Sequence, residues 1–176
     1  MSKPHIGGLA VVRGLNARAT TGTLACGSLQ FPCALGRSGR THQKREGDGA
    51  TPVGLWPIRL VLYRPDRLRR PETALPTLPI GPSDGWCDAA GDRNYNRRVT
   101  LPYPASHEEL FRADGLYDIC VVLGYNDDPR RQGGGSAIFM HVAAEGFSPT
   151  AGCVALRRWD LLKLLRMSPR GVLVLP

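Results

Sequence analysis

The segment Ser136–Leu156, SAIFMHVAAEGFSPTAGCVAL, contains two apolar runs separated by a polar loop. The first run ends at His141, and the second begins at Cys153, directly after Gly152. The runs predict two short strands, because the intervening AAEGFSPTA has the composition of a loop. Two neighbouring strand ends would bring the imidazole and the thiol together. Such a pair makes a nucleophile with its base, since histidine raises the thiolate fraction.

The loop before the cysteine has the features of an active-site turn. Gly152 permits a tight backbone turn, so amides beside the sulfur could face an oxyanion. Ser148, Thr150 and Ala151 complete the predicted active-site loop. The alternative for Cys153 is a small buried core residue, as single cysteines often are. The residues alone leave both interpretations open.

The stretch Thr150-Ala151-Gly152-Cys153-Val154-Ala155, preceded by His141, resembles the active-site segment of the L,D-transpeptidase catalytic domain family. That family has a histidine, a loop, then Ser/Thr-His-Gly-Cys, an apolar residue and Asn or Arg. Ala151 stands at the second histidine, Ala155 stands at the Asn or Arg, and the gap from His141 to Cys153 is shorter than in the family.

Further stretches resemble the family from Leu29 to the C-terminus. They are Gly47–Trp56 (GDGATPVGLW), which is similar to a Thr-Pro-x-Gly turn into a strand, Asp84–Asp88 (DGWCD), Asn94–Asn96 (NYN) and Gly135–Phe139 (GSAIF). The resemblance implies that Cys153 is the nucleophile, that His141 is the base, and that a backbone carbonyl orients the histidine. It implies no cofactor.

The resemblance also implies a substrate. Peptidoglycan stem peptides would be cleaved between an L-centre and a D-residue, through a thioester on Cys153. The acyl group would pass to the amine of another stem (L,D-transpeptidation) or to water (L,D-carboxypeptidation of tetrapeptides during wall recycling). The departures at Ala151 and Ala155 leave a third alternative, a catalytically inactive basic module that binds peptidoglycan.

Length and composition indicate one β-rich domain. The 176 residues predict a single domain over 1–176, and 21 glycines with 15 prolines favour strands and loops over a helical bundle. We therefore predict a mainly β (β-rich α+β) fold. The resemblance implies a β-sandwich or open barrel with one or two short helices and long loops.

The net charge of +8 indicates an anionic partner. Arginines cluster in Arg64–Arg70 and Arg37–Arg45, but few aromatic residues are interleaved with them, so we predict no nucleic-acid partner. Peptides with free carboxylates suit the charge. The five cysteines form no C-x-x-C pair, so we predict no metal site. Cys87 is the rival nucleophile, without a histidine near it in sequence.

Two long loops, Gly36–Gly54 and Arg64–Tyr103, could cover the site. In the second, Trp86, Tyr95 and Asn96 are predicted to contact substrate, together with Ser136; a locally packed loop is the alternative. The charged residues of the first loop, Lys44 and Glu46 among them, are predicted to be solvated.

Local signals predict three further elements. Ser106–Glu109 has the pattern of a capping box and predicts a short helix to about Ala113. Tyr117–Tyr125 predicts a buried strand. Leucines at helical spacing predict a helix over Arg157–Met167.

The first twenty residues contain no apolar run of signal-peptide length, and we expect no membrane insertion. The resemblance implies a protein of the cell envelope or periplasm. The missing signal leaves the cytoplasm open, where water would be the natural acyl acceptor.

Overall fold

A computed structural model describes residues 8–176, so part of the N-terminal stretch examined for an export signal lies outside the described residues. The described part contains fourteen strands and one α-helix. The elements are β1 (Leu9–Gly14), β2 (Thr21–Cys26), β3 (Leu29–Ala34), β4 (Arg40–Thr41), β5 (Thr51–Pro52), β6 (Gly54–Tyr63), β7 (Thr77–Pro79), β8 (Asp84–Cys87), β9 (Arg97–Thr100), β10 (His107–Glu109), β11 (Ile119–Leu123), β12 (Phe139–Val142), β13 (Val154–Leu156), α1 (Arg158–Arg166) and β14 (Gly171–Val174), with a 3-10 turn at Glu145–Phe147.

The main sheet closes into a barrel through its longest strand, β6. The strand order is β11-β12-β13-β3-β2-β1-β14-β6-β7, and β6 also pairs with β11. The first part of β6, from Gly54 to Pro57, pairs with β14, and the part from Ile58 to Tyr63 pairs with β11. This barrel-like sheet with one short helix confirms the predicted β-rich fold.

The barrel core consists of inward-facing aliphatic side chains and of one face of α1. This face of α1 packs against the other core side chains and is fully buried at Leu161, Leu164 and Leu165. A second apolar cluster contains Phe139 and Cys153. The strand ends that carry the predicted catalytic residues are therefore backed by packed side chains, which limit their motion.

Several predicted elements are confirmed. All five residues of β11 are buried, as expected for the strand predicted within Tyr117–Tyr125. The helix predicted over Arg157–Met167 is α1. The strands predicted around His141 and Cys153 are present as β12 and β13, although both are shorter than the apolar runs.

The helix predicted from the capping box is wrong. His107–Glu109 forms strand β10, which pairs antiparallel with β8 and places Glu108 opposite Trp86. A capping box contributes only about 1 kcal/mol. Pairing with β8 and burial of Leu110 outweigh that local preference.

The long loops contain more structure than predicted. Strands β4 and β5 pair in parallel within Gly36–Gly54, and β8, β9 and β10 form a separate three-stranded sheet. Turn-rich composition hid these pairings, because strands of two to four residues are too short for a visible alternation.

Candidate active site

Parallel pairing of β12 with β13 brings the two predicted catalytic residues into one site. Met140 lies opposite Val154, and His141 lies opposite Ala155. Cys153 directly precedes β13, and its Sγ lies 3.4 Å from the backbone nitrogen of Phe139, which donates a hydrogen bond to it. Side chains alternate along a strand, so Phe139 and His141 share the face that meets the thiol.

This face forms the wall of a cleft of about 510 Å³. Both His141 and Cys153 line it. The other lining residues are Arg37, Lys44, Glu46, Gly47, Asp88, Glu108, Arg112, Leu116, Tyr117, Ser136, Ala137, Ile138, Ala144, Ser148, Pro149, Thr150, Ala151 and Ala155. Cations and carboxylates are mixed in this lining, so the cleft suits a substrate that carries both charges.

The imidazole of His141 is oriented by the backbone. Its Nδ1 lies 2.9 Å from the carbonyl oxygen of Val142. A carbonyl only accepts hydrogen bonds, so Nδ1 carries the proton and Nε2 is the basic nitrogen. The Tyr117 ring packs edge-on against the imidazole, with 5.3 Å between the ring centroids. The histidine is thus held in the tautomer that a general base requires.

The thiol of Cys153 is held by two backbone groups of the neighbouring segment. It donates a hydrogen bond to the carbonyl of Ala137 over 3.2 Å and accepts one from Phe139. Ala137 has φ 51°, a left-handed conformation that costs an alanine about 1–2 kcal/mol. The Oδ1 of Asn96 accepts the amide of Ala137 over 3.1 Å and fixes this conformation.

Burial disfavours the charged forms of both reactive groups. Burial raises the pKa of the Cys153 thiol to about 12, with the Glu108 carboxylate acting in the same direction. Burial lowers the pKa of His141 to about 4. Both shifts oppose the raised thiolate fraction that the sequence analysis expects from the histidine.

The turn before the nucleophile requires glycine. Gly152 has φ 135°, and a Cβ at this position would lie 2.8 Å from the carbonyl oxygen of Ala50. Thr150 stabilises the turn with two hydrogen bonds. Its Oγ1 accepts one from the Gly152 amide over 3.1 Å and donates one to the Cys153 carbonyl over 2.7 Å. Thr150 therefore has a structural role that the sequence did not reveal.

Backbone amides remain for an oxyanion beside the sulfur. The Gly152 amide is occupied by Thr150. The amides of Ala151 and Cys153 have no hydrogen-bond partner among residues 8–176. Ser148 lies in the wall of the cleft, where its hydroxyl contacts the carbonyl of Glu145 over 3.4 Å.

The residues predicted to contact substrate separate into two groups. Ser136 lines the cleft and donates to the Glu46 carboxylate over 2.7 Å. Trp86, Tyr95 and Asn96 do not line it. Tyr95 is fully buried, and its hydroxyl donates to Glu46 over 2.5 Å. Their contacts are those of a packed loop that supports the cleft wall.

The Asn96 amide joins three segments of this packed loop. Its Oδ1 accepts from the indole of Trp86 over 3.0 Å, and its Nδ2 donates to the carbonyls of Tyr125 and Asn126 over 3.0 and 2.9 Å. Together with the Ala137 contact, these bonds use the full capacity of one amide side chain.

Sequence reasoning did not assign Glu108, Lys44 or Glu46 to the cleft. Glu108 is half-buried and accepts a hydrogen bond from the Tyr117 hydroxyl, and partial burial raises the pKa of its carboxyl group. Lys44 and Glu46 were expected in solvent, but both line the cleft, and Lys44 pairs with Asp48 over 2.5 Å. The carboxylate of Glu109, three residues after Ser106, was misread as part of a helix cap. This reading concealed the position of its neighbour Glu108 in the cleft.

Comparison with known families identifies the architecture around this thiol and imidazole. The family model described as the L,D-transpeptidase catalytic domain matches residues 25–175. The chain belongs to the L,D-transpeptidase family. Neither the curated proteins nor the solved structures yield a significant match. The family match covers every residue of the cleft, from Arg37 to Ala155.

L,D-transpeptidase domains typically belong to enzymes that act on peptidoglycan peptides. The five cysteines of this domain are free and buried. Within residues 8–176, no group of three or more His, Cys, Asp or Glu side chains is placed to hold a metal ion. No helix in that range has the length and apolar character needed to cross a membrane.

Proposed function

We propose that the protein is a cysteine-dependent L,D-transpeptidase that transfers the acyl group of a peptidoglycan stem peptide through a thioester on Cys153. One observation carries this proposal. Cys153 and His141 line the same cleft, and His141 presents a basic Nε2 because its Nδ1 is bound to the Val142 carbonyl. A thiol and an oriented imidazole in one cleft are the parts that nucleophilic acyl transfer needs.

The first half-reaction forms the thioester. As the sulfur attacks the peptide carbonyl, Nε2 of His141 takes the thiol proton, so that no free thiolate accumulates. The amides of Ala151 and Cys153 stabilise the oxyanion of the tetrahedral intermediate. His141 then donates the proton to the leaving amine of the D-residue, and the carbon–nitrogen bond breaks.

The second half-reaction releases the acyl group. An amine from another stem attacks the thioester carbonyl, His141 takes a proton from that amine, and the thiolate leaves and is reprotonated. Water in place of the amine gives the L,D-carboxypeptidase reaction with the same residues. The loop around Lys44 and Glu46 lines the cleft, and we propose that it keeps water from the thioester and so favours transfer to an amine.

Because this substrate is a wall component, we propose that the protein acts in the cell envelope. The mixed charges of the cleft support a stem peptide, since such peptides carry an amine as well as free carboxylates. The alternative of an inactive peptidoglycan-binding module uses the same cleft without a reactive thiol.

The test is an exchange assay on a soluble disaccharide tetrapeptide with an excess of a D-amino acid, read by mass spectrometry. Replacement of the terminal D-residue by the added amino acid supports transfer. Formation of the tripeptide alone, even at high amine concentration, assigns the protein as a carboxypeptidase. If neither a covalent thioester adduct nor any product forms, the acyl-transfer proposal fails and the protein is an inactive binding module.

A further inference from the structure

A second groove, of about 490 Å³, lies outside the catalytic cleft between α1 and the segment 67–72. One wall is the outer face of α1, where Trp159, Leu162, Lys163 and Arg166 follow helical spacing. The opposite face of α1 is buried in the barrel core. The groove is therefore built on the part of the helix that the fold leaves free.

Polar contacts hold the two walls together at both ends. At one end, Arg67 and Arg158 bind the same carboxylate, that of Asp118, with 2.7 Å between Arg67 Nη1 and Asp118 Oδ1. At the other end, the Ser168 hydroxyl accepts the amide of Ala74 over 2.8 Å. The groove is thus fixed before any ligand binds, and a ligand does not have to order it.

The groove has a cationic rim with an apolar lining. Arg69, Arg70 and Lys163 have no carboxylate within ion-pair distance in the described part of the chain, while Arg166 pairs with Glu72 over 3.2 Å. Trp159 beside them is 73% exposed. Three uncompensated cations next to an exposed indole suit a ligand that combines carboxylates with an apolar face.

A shallow depression connects this groove to the catalytic cleft. Leu116 and Ala144 line both the depression and the cleft, and Arg158 lines both the depression and the groove. A polymer lying in the cleft can therefore continue along the surface to Trp159. A planar membrane surface would need neither a concave groove nor this continuity.

We propose that the groove is an accessory site for an anionic glycan–peptide strand, occupied by the part of a polymeric substrate next to the stem that reacts at Cys153. Arg69, Arg70 and Lys163 bind carboxylates of the neighbouring stem, and the Trp159 indole packs on the apolar face of a sugar ring. This inference rests on the proposed function for the identity of the strand. It predicts that polymeric substrate is preferred over soluble fragments.

The first experiment measures binding without catalysis. Every variant carries Cys153→Ala, and binding to insoluble peptidoglycan is measured by sedimentation over a range of salt concentrations. Arg69→Gln/Arg70→Gln and, separately, Trp159→Ala should each weaken binding about tenfold. The matched controls are Arg13→Gln/Arg18→Gln, which removes two exposed arginines elsewhere, and Leu15→Ala, which truncates an exposed apolar residue. The controls should bind within about twofold of the parent.

Equal binding by the groove variants and the controls overturns the proposal. A parallel arm uses vesicles of anionic phospholipid. If the groove variants lose vesicle binding but keep peptidoglycan binding, the groove is a membrane-docking surface and the proposal is wrong.

The second experiment separates failure of the groove from failure of the proposed function. With Cys153 intact, the groove variants should turn over a soluble disaccharide tetrapeptide like the parent, and their KM should rise only for polymeric peptidoglycan. An equal loss on both substrates contradicts an accessory site. If no substrate is turned over by any variant while the binding differences persist, the acyl-transfer proposal fails and the groove assignment stands.

Discussion

The amide of Ala137 donates to the Oδ1 of Asn96 over 3.1 Å, and the carbonyl of Ala137 in turn accepts the thiol of Cys153 over 3.2 Å. A side chain outside the cleft lining thereby sets the position of the sulfur. Both Asn96 and Ala137 have left-handed backbone conformations, with φ of 55° and 51°. The orientation of the thiol therefore depends on a strained peptide segment, and the Asn96 contact holds that segment at Ala137.

Asn96→Gly should lower turnover about tenfold while the thiol itself remains, because sub-ångström misplacement of a nucleophile is costly. Glycine tolerates the left-handed backbone, so the side-chain contacts are the change. Asn126→Gly is the matched control: Asn126 has φ 50° and also makes three side-chain hydrogen bonds, but none of them reaches Ala137. Turnover is measured per folded protein, and equal losses in both variants contradict a positioning role.

Cys153→Ala should abolish turnover and leave the fold intact, since alanine fits where a small buried side chain was. Cys87→Ala should remain active: Cys87 is fully buried in β8, it does not line the cleft, and burial raises its pKa. The product assay on tetrapeptide is the measurement. An inactive Cys87 variant beside an active Cys153 variant would make the nucleophile assignment wrong.

Glu108→Gln and Lys44→Met should move the reactivity of the thiol in opposite directions. The Glu108 carboxylate raises the pKa of Cys153, whereas the Lys44 ammonium lowers it. Removing the negative charge should therefore shift the rise of alkylation rate to lower pH, and removing the positive charge should shift it to higher pH. The rate of alkylation of Cys153 is measured at a series of alkaline pH values for each variant. A shift of the same sign in the two variants refutes the electrostatic explanation.

His141→Gln should reduce the loss of stability on acidification. The folded-state pKa of His141 lies at about 4, below its ordinary value of 6.5, so the folded protein binds fewer protons than the unfolded chain in this range. Its contribution is present above pH 6.5 and is lost as the pH falls towards 4, with a full extent of about 3 kcal/mol. Urea unfolding of both proteins at neutral and acidic pH measures the difference. Parallel pH dependences would rule out a buried neutral imidazole.

Gly152→Ala should destabilise the protein by about 2 kcal/mol or more and impair acylation, because the new Cβ meets the Ala50 carbonyl in a left-handed turn. Gly146→Ala is its control, with φ 69° and no atom within 4 Å of the added Cβ. There the cost is backbone strain alone, about 1 kcal/mol. Equal effects on unfolding and on alkylation of Cys153 would show that the close approach to Ala50 is unimportant.

The parts of this protein that follow from periodicity were predictable from sequence. Alternation placed Phe139 and His141 on one face, and the Gly-Cys step placed Cys153 at the start of the next strand. Helix α1 and strand β11 were also predictable, because the spacing of the leucines and the continuous apolar run each indicate which residues are buried.

The remaining features depend on contacts between segments that are distant in sequence. Glu108 reaches the cleft because β10 pairs with β8, which overrides the capping pattern at Ser106. Asn96 was correctly singled out as unusual, but its partner Ala137 lies 41 residues away, so its supporting role was invisible. The raised pKa of the Cys153 thiol was also hidden, since burial causes it and a sequence motif does not record burial.

The hydrogen-bond acceptor that orients His141 is the peptide carbonyl of Val142, and every amino acid at that position supplies the same oxygen. A saturation-mutagenesis map of turnover would therefore register two indispensable side chains and no third. A substitution at Val142 leaves this carbonyl in place, so only a change that disrupts strand β12 would remove it. Searches for catalytic sites that require three conserved side chains would pass over a chain of this kind, because a backbone carbonyl takes the place of the third side chain.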